Sequence, residues 1–337
     1  MKVYEENNIN DLYYNVIKDV FYNGKTFIKQ NGDEIREIVP ATLVIKNPKE
    51  CVITHPGRPY NIAFMCAETI WNLCAKTDFW LCDYNAEYKK YFKNNRLEAG
   101  YGNRIFNSGV NQFEKVVDLL QLVPDNSHCT ISIFDKEFDL NGDIFVPCIT
   151  FIKFRVNNGK LDMFTHMRAQ DLWKGFPYDI NLLVSLFECM CICSGYDMGT
   201  YYHVCDALRL YKKDYSDIKS FIKITDYKNF QPISIELPKN NMWEKLSFYE
   251  KIISDTQECN EVDLQNEPNY CRNMLLCCII YKNIKKKNYK KALTLMNSLE
   301  QEYKNQIIIW AKRYNNKFYN TLEVYNGKQK KKKNTQQ

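Results

Sequence analysis

The most regular pattern in the chain lies between residues 143 and 179. Thr150, Ile152, Phe154 and Val156 form one alternating run, Asn157-Asn158-Gly159-Lys160 interrupts it, and Leu161, Met163, Thr165 and Met167 form a second. Period-two alternation on both sides of an Asn-Gly turn predicts a β-hairpin. Residues 11–22 read as a helix leading into an extended segment at 25–29, and residues 32–48 alternate as strands do before Asn47-Pro48. Between 60 and 75, Ile62, Met65, Cys66, Ile70, Leu73 and Cys74 recur near helical spacing. Further helices are predicted at 111–122 and at 180–195, the latter ended by Ser194-Gly195. Residues 268–283 and 286–315 read as two amphipathic helices.

A length of 337 residues fits one large domain with an appendage, or two domains. With 45% hydrophobic and 14% aromatic residues the chain can bury a core, which argues against disorder. We find no uncharged apolar stretch of membrane-spanning length and no signal peptide, so a cytoplasmic protein without membrane contact is expected. The fourteen cysteines sit mostly inside apolar runs and read as reduced core thiols. Cys189, Cys191 and Cys193 share one predicted helix, where alternate side chains diverge, so they are not read as a metal site. Much of the net charge of +6 comes from lysine runs at 285–291 and 328–333. The second run reads as a solvated, disordered tail capable of weak contact with nucleic acid or an acidic surface.

Three positions carry candidate chemistry. Cys148, behind Pro147, enters one arm of the hairpin, while Arg168, Asp171 and Asp179 follow the other. A thiol beside an arginine can serve as an activated nucleophile, although a cysteine entering a strand is also an ordinary core residue. Glu68 interrupts an apolar helical face, where a carboxylate is either paired, functional, or at the helix edge. Asp179 precedes the predicted helix at 180 and could cap it.

Pro147-Cys148 followed by two strands, Met167-Arg168-x-x-Asp171 and Gly175-x-Pro177-Tyr178-Asp179 resembles the thymidylate synthase superfamily. The resemblance is nearer to its deoxycytidylate hydroxymethylase and viral pyrimidine hydroxymethylase branch. It extends through HPGRPYNIAFMCAETIW (55–71), GYGNRIFN (100–107), NQFEKVVDLL (111–120) and GTYYHVCDALRLY (199–211), covering about residues 30 to 220. It implies an α+β fold with a large mixed sheet, as a catalytic domain over 1–235. A helical extension (236–325) and the basic tail (326–337) would follow.

The resemblance also implies a homodimer that acts on a pyrimidine nucleotide with 5,10-methylenetetrahydrofolate. Cys148 would add to C6 so that C5 can attack the folate-borne carbon, Glu68 would organise water and proton transfer, and Asp179 would select cytosine over uracil. Arg168, Arg36, Arg209 and Tyr211 would hold the nucleotide; Asp171, Gly175 and Tyr101 would meet the folate. The family's adjacent arginine pair, which crosses the dimer to the partner's phosphate, is replaced by Asn126, Ser127 and His128. Arg209 stands where a histidine is usual, and Ala169 where a serine is. Hydroxymethylation of a cytosine nucleotide is therefore the expected activity. A divergent dUMP methylase and a silent nucleotide-binding or assembly protein are the alternatives.

Overall fold

A computed structural model describes residues 1–123, 127–141, 145–255 and 264–334, the last seven of these without side chains. Asn126, one of the residues replacing the arginine pair, lies outside the described residues. The chain opens with β1 (Lys2–Glu6), α1 (Ile9–Asn23), β2 (Lys25–Ile28), β3 (Glu34–Ile38) and β4 (Ala41–Ile45). Helices α2 (Ile62–Leu73), α3 (Tyr101–Phe106) and α4 (Gln112–Leu122) precede β5 (Thr130–Ser132) and α5 (Lys136–Asp139). Next come β6 (Ile149–Asn157), β7 (Lys160–Met167), β8 (Gln170–Asp171), α6 (Phe176–Ser194), β9 (Asp197–Cys205), β10 (Leu208–Tyr211) and α7 (Tyr215–Ile222). The remaining helices are α8 (Met242–Ser254), α9 (Asn269–Lys285), α10 (Tyr289–Met296), α11 (Gln301–Tyr314) and α12 (Asn316–Asn334).

The fold is α+β. A six-stranded mixed sheet has the order β1-β4-β9-β7-β6-β5, and a four-stranded one the order β2-β3-β10-β8. The alternating segment at 32–48 divides between them: β3 joins the small sheet and β4 the large one. The expected hairpin is β6–β7, with Asn157 opposite Lys160 and a two-residue turn at Asn158 (φ 50°) and Gly159 (φ 76°). Both turn residues need positive φ, which Asn and Gly supply at least cost. Leu161, Met163, Thr165 and Met167 are all buried, as the alternation predicts. A register shift between Ile149 and Phe151 bends β6 immediately after Cys148, the kind of bulge that re-aims a strand beside a site.

On the face opposite α6, Phe151 stacks on His166 at 4.6 Å and Phe164 on Tyr202 at 4.5 Å. The face towards α6 carries Phe154, which meets Phe187 of that helix. Helix α6 is long and apolar enough to span a membrane, contrary to our sequence expectation, but 78% of its apolar window is buried inside the protein. It begins at Phe176, with Gly175 as N-cap and Pro177 in the first turn. Asp179 is therefore inside the helix and is not its cap.

All twelve residues of α2 are buried. Helix α9 covers it from the C-terminal region: the Cys278 thiol donates to the Ala63 carbonyl (3.5 Å) and the Tyr281 hydroxyl to the Tyr84 carbonyl (3.1 Å). Gln306 Nε2 of α11 donates to the Thr54 carbonyl at 2.9 Å. Among the described residues one buried cluster runs from Ile9 to Leu322, so the helices after residue 236 share the core of the sheets. The single helix expected at 286–315 is two, α10 and α11. The chain turns at Asn297-Ser298, poor helix formers, and Asn273 Oδ1 accepts from the Glu300 N–H at 2.9 Å, anchoring the break. The backbone of 326–334 continues α12, where the sequence suggested a disordered tail.

Candidate active site

A cavity of about 1010 Å³ opens beside α2, α6 and α11, with the start of β6 and the ends of β8 and β10 on its wall. Of the residues singled out from sequence, it gathers Cys148, Glu68, Asp179, Asp171, Gly175, Tyr101 and Tyr211. Arg168, Arg209 and Arg36 are not among its lining residues.

Cys148 sits just before β6, with its carbonyl accepting from the Arg168 N–H at 3.0 Å. Arg168 also donates from Nε to the Pro147 carbonyl (3.0 Å) and from Nη2 to the Val146 carbonyl (2.9 Å). It thus clips the backbone that presents the thiol. Burial pushes the Cys148 thiol above its ordinary value, Arg168 pulls it down, the Asp179 and Asp171 carboxylates push it up again, and Arg209 lowers it.

Glu68 lies in the middle of α2, and its Oε1 accepts from the Tyr88 hydroxyl. Burial raises its pKa to about 8; the Tyr88 bond opposes the rise and Asp179 adds to it. The carboxyl is therefore mostly protonated at neutral pH. Asp179 is raised to about 6, chiefly by burial and further by Asp171, while donation from Gln170 Nε2 to Oδ2 (2.8 Å) lowers it. Asp171 Oδ1 accepts from the Trp173 and Lys174 N–H groups, both at 2.9 Å, and so shapes the turn before α6. Burial pushes the Tyr101 hydroxyl well above its ordinary value, Asp179, Cys148 and Glu68 push it further, and the Cys148 backbone opposes the rise.

Gly175 lies on the cavity wall, and its lack of a side chain also meets a demand within the fold. A Cβ there would lie 2.9 Å from Gln170 Nε2, 3.1 Å from the Asp171 carbonyl oxygen and 3.2 Å from Asp179 Oδ2. The missing side chain lets the turn close on itself. Arg36 is held away from the cavity: Nη1 donates to the Phe21 carbonyl, and its guanidinium lies over the rings of Phe21 (4.9 Å) and Tyr215 (5.1 Å). It stabilises the end of α1. Arg209 pairs with Glu37 at 2.9 Å across β10 and β3.

Other cations take the positions at the cavity. Lys29 and Lys213 flank the Tyr211 ring, at 5.3 and 5.1 Å from its centroid. Arg58, buried, donates from Nε to the Tyr13 hydroxyl (3.2 Å) and lies over Trp173 at 4.5 Å. Sequence reading missed these, together with Tyr88, Gln170, and Trp310, Arg313 and Tyr314 of α11. Lys29 could have been noticed as a cation just before the Asn31-Gly32 turn; nothing local marks the α11 residues.

A thymidylate synthase family model matches residues 11–265. Over 221 residues the chain is 29% identical to the deoxyuridylate hydroxymethyltransferase of Bacillus phage SP01. That alignment covers 60% of this chain and 57% of the phage protein, so the chain spans little more than half of that relative. It is 23% identical over 224 residues to a putative thymidylate synthase of Methanosarcina acetivorans, covering 66% of this chain and 95% of that protein. A second putative thymidylate synthase, from Methanosarcina mazei, is 22% identical over the same span. The α+β fold with its large mixed sheet is thus that of the matching family. The chain is a member of the thymidylate synthase family.

The Glu68 environment makes a stability prediction. Its folded pKa, about 8, is above the ordinary 4.5. Its contribution is thus fully present below pH 4.5 and is lost as pH rises through about 8, at about 1.4 kcal/mol per pH unit between the two values. Glu68→Gln should therefore be more stable than the parent near pH 8 and lose that advantage below pH 4.5. Chemical denaturation at the two pH values measures this. A variant weaker than the parent at pH 8 would mean that Glu68 is ionised and paired.

Proposed function

We propose that this chain transfers a one-carbon unit from 5,10-methylenetetrahydrofolate to C5 of a cytosine nucleotide and leaves it as a hydroxymethyl group. The observation that carries this is the convergence of a thiol, Cys148, a neutral buried carboxyl, Glu68, and a second carboxyl, Asp179, on one cavity. A volume of about 1010 Å³ is at the upper end for one drug-sized ligand and suits a nucleotide and a folate side by side. Asp214 Oδ2 at the cavity is buried without a hydrogen-bond partner among the described residues, as suits an acceptor awaiting a ligand's amino group. Asp171 and Asp214 would meet the pterin end, and Trp310 and Tyr314 would flank the remainder. The folate supplies an electrophilic carbon at the formaldehyde oxidation level.

Cys148 Sγ adds to C6 of the ring, which makes C5 nucleophilic, and leaves again once C5 has exchanged its hydrogen, lost as a proton, for the one-carbon unit. The thiol must lose its proton to attack, and Arg168 and Arg209 favour that form. Arg168 can exchange its carbonyl partners for a nucleotide phosphate. Glu68, protonated at neutral pH and bonded to Tyr88, can give a proton to the ring and take one from the water that captures the methylene group. At pH 7 Asp179 is mostly ionised and accepts from the cytosine N4 amino group. Uracil offers O4 there, which repels a carboxylate. A uracil nucleotide is the second reading, favoured by the phage relative's name and by the ability of a protonated carboxyl to pair with either base.

The transfer is tested by mass analysis of CMP, dCMP and dUMP incubated with the protein and methylenetetrahydrofolate. A hydroxymethylated cytosine nucleotide is expected from the parent and none from Cys148→Ser, which should also lose exchange of the C5 hydrogen. Exchange at the parental rate in the serine variant would remove Cys148 as the nucleophile.

Base selection should depend on pH. Because the Asp179 carboxyl protonates near pH 6, preference for cytosine should weaken as pH falls through that value. In Asp179→Asn it should swing towards uracil by roughly tenfold to a hundredfold. Competitive binding of dCMP and dUMP across pH measures both, and equal affinity at pH 7.5–8 in the parent would favour the uracil reading (values about one to two pH units above the Asp179 midpoint).

We further propose a homodimer through the large sheet. The Phe151–His166 and Phe164–Tyr202 stacks form an aromatic layer on the face away from α6, the sort of surface an obligate interface buries. Sedimentation should give a dimer that Phe164→Asp converts to monomer. A monomeric parent at micromolar concentration, ~10 μM against typical interface affinities, would reject this.

A further inference from the structure

Asp179 is not held alone. Gln170, at the start of β8, is only 1% exposed, and its Nε2 donates twice: to the Asp171 carbonyl (3.1 Å) and to Asp179 Oδ2 (2.8 Å). A backbone carbonyl can only accept, so the nitrogen end of the amide must face it. Gln170 Oε1 is then the end that meets His203 Nε2, at 2.9 Å. An amide oxygen only accepts as well, so the ring proton of His203 is on Nε2. Burial depresses the His203 pKa to about 3, which keeps the ring neutral and makes Nδ1 an acceptor. The Tyr201 hydroxyl donates to it at 2.8 Å. Every bond therefore runs one way, from Tyr201 through His203 and Gln170 to Asp179. Gly175 leaves room for this arrangement, since a Cβ there would press on both Gln170 Nε2 and Asp179 Oδ2.

We infer that Gln170 is a positioning residue for base recognition: the Tyr201–His203–Gln170 chain pins Asp179 Oδ2 as an acceptor, so that Oδ1 carries any carboxyl proton and addresses the pyrimidine edge. This rests on the reading of Asp179 as the base-selecting group. A carboxyl free to rotate presents either oxygen and pairs with either base. One oxygen fixed by a buried donor presents a single pattern. Donation from Gln170 also favours the ionised form of Asp179, against the carboxyls of Asp171 and Glu68 that face it. The Tyr88 and Tyr101 hydroxyls and the Cys148 and Cys205 thiols also face it; burial holds all four protonated at neutral pH.

The test uses the full chain with ¹³C-labelled aspartate, the Asp179 carboxyl signal being identified by its loss in Asp179→Asn. Gln170→Met removes the donor at similar volume, and Gln170→Glu keeps the shape while introducing a carboxyl. The Asp179 titration midpoint should rise by about one pH unit or more in both, and the dCMP-over-dUMP binding ratio should fall about tenfold. An unchanged midpoint in folded Gln170→Glu would overturn the relay, and that variant decides alone if Gln170→Met does not fold. A raised midpoint with an unchanged binding ratio would overturn the positioning role. A raised midpoint in a protein whose parent binds both nucleotides equally would uphold the relay and remove the cytosine reading instead.

Discussion

The site depends on a polar clamp at the centre of the helical layer. Asn181 Nδ2 of α6 donates to Thr69 Oγ1 of α2 at 2.7 Å, and the Tyr270 hydroxyl of α9 donates to Asn181 Oδ1 at 3.1 Å. Thr69 follows Glu68 directly, and Asn181 is two residues beyond Asp179. Two bonds thus fix the relative position of the helices that carry the two carboxyls, and tie both to the C-terminal region. Asn181 is fully buried and Thr69 is 1% exposed, so removing one partner would strand a buried polar group at about 1–3 kcal/mol. Apolar packing alone would let α2 slide by a fraction of a turn. Hydrogen bonds of fixed direction do not.

The same burial that supports the clamp sets the chemistry. Glu68 is on a helix covered on every side, and its carboxyl stays neutral because ionising it there costs more than Tyr88 returns. Asp179 is less deeply buried and accepts from Gln170, so its carboxyl is raised less. Two carboxyls in one cavity are driven apart in acidity by depth and partners, which separates a proton donor from an acceptor.

The parts of this architecture that depend on short-range pattern could be read from sequence. The β6–β7 hairpin follows from period-two alternation and an Asn-Gly turn, and the ends of α1 and α4 and the C-terminal end of α6 lie close to their expected positions because caps and periodicity are local. Cys148, Glu68 and Asp179 were identified by motif spacing and do meet in one cavity. Arg36 and Arg209 were assigned to the nucleotide from sequence, but an arginine's role is decided by its partner. Glu37 and the Phe21 carbonyl, which engage Arg209 and Arg36, come from distant parts of the chain or another strand. Gly175 was read as making room for a ligand, and the crowding of Gln170 and Asp179 against it was not visible in the sequence.

The C-terminal helices looked like an appendage because the family resemblance covers only about residues 30 to 220. Helices α8, α9 and α11 pack on α2, an apolar helix that α6 covers only in part. Removing them would expose the buried helix that bears Glu68, so they complete the core beneath the cavity. Helix α11 goes further and brings Trp310, Arg313 and Tyr314 to the cavity, where Arg313 grips Asp217 of α7 through two bonds of 2.9 and 3.0 Å. That ion pair ties the extension to the rim formed by the small sheet and α7. Because it is half exposed, its contribution to stability is small; its effect is to fix where the aromatic wall stands. The extension therefore determines the shape of the cavity as well as the burial beneath it.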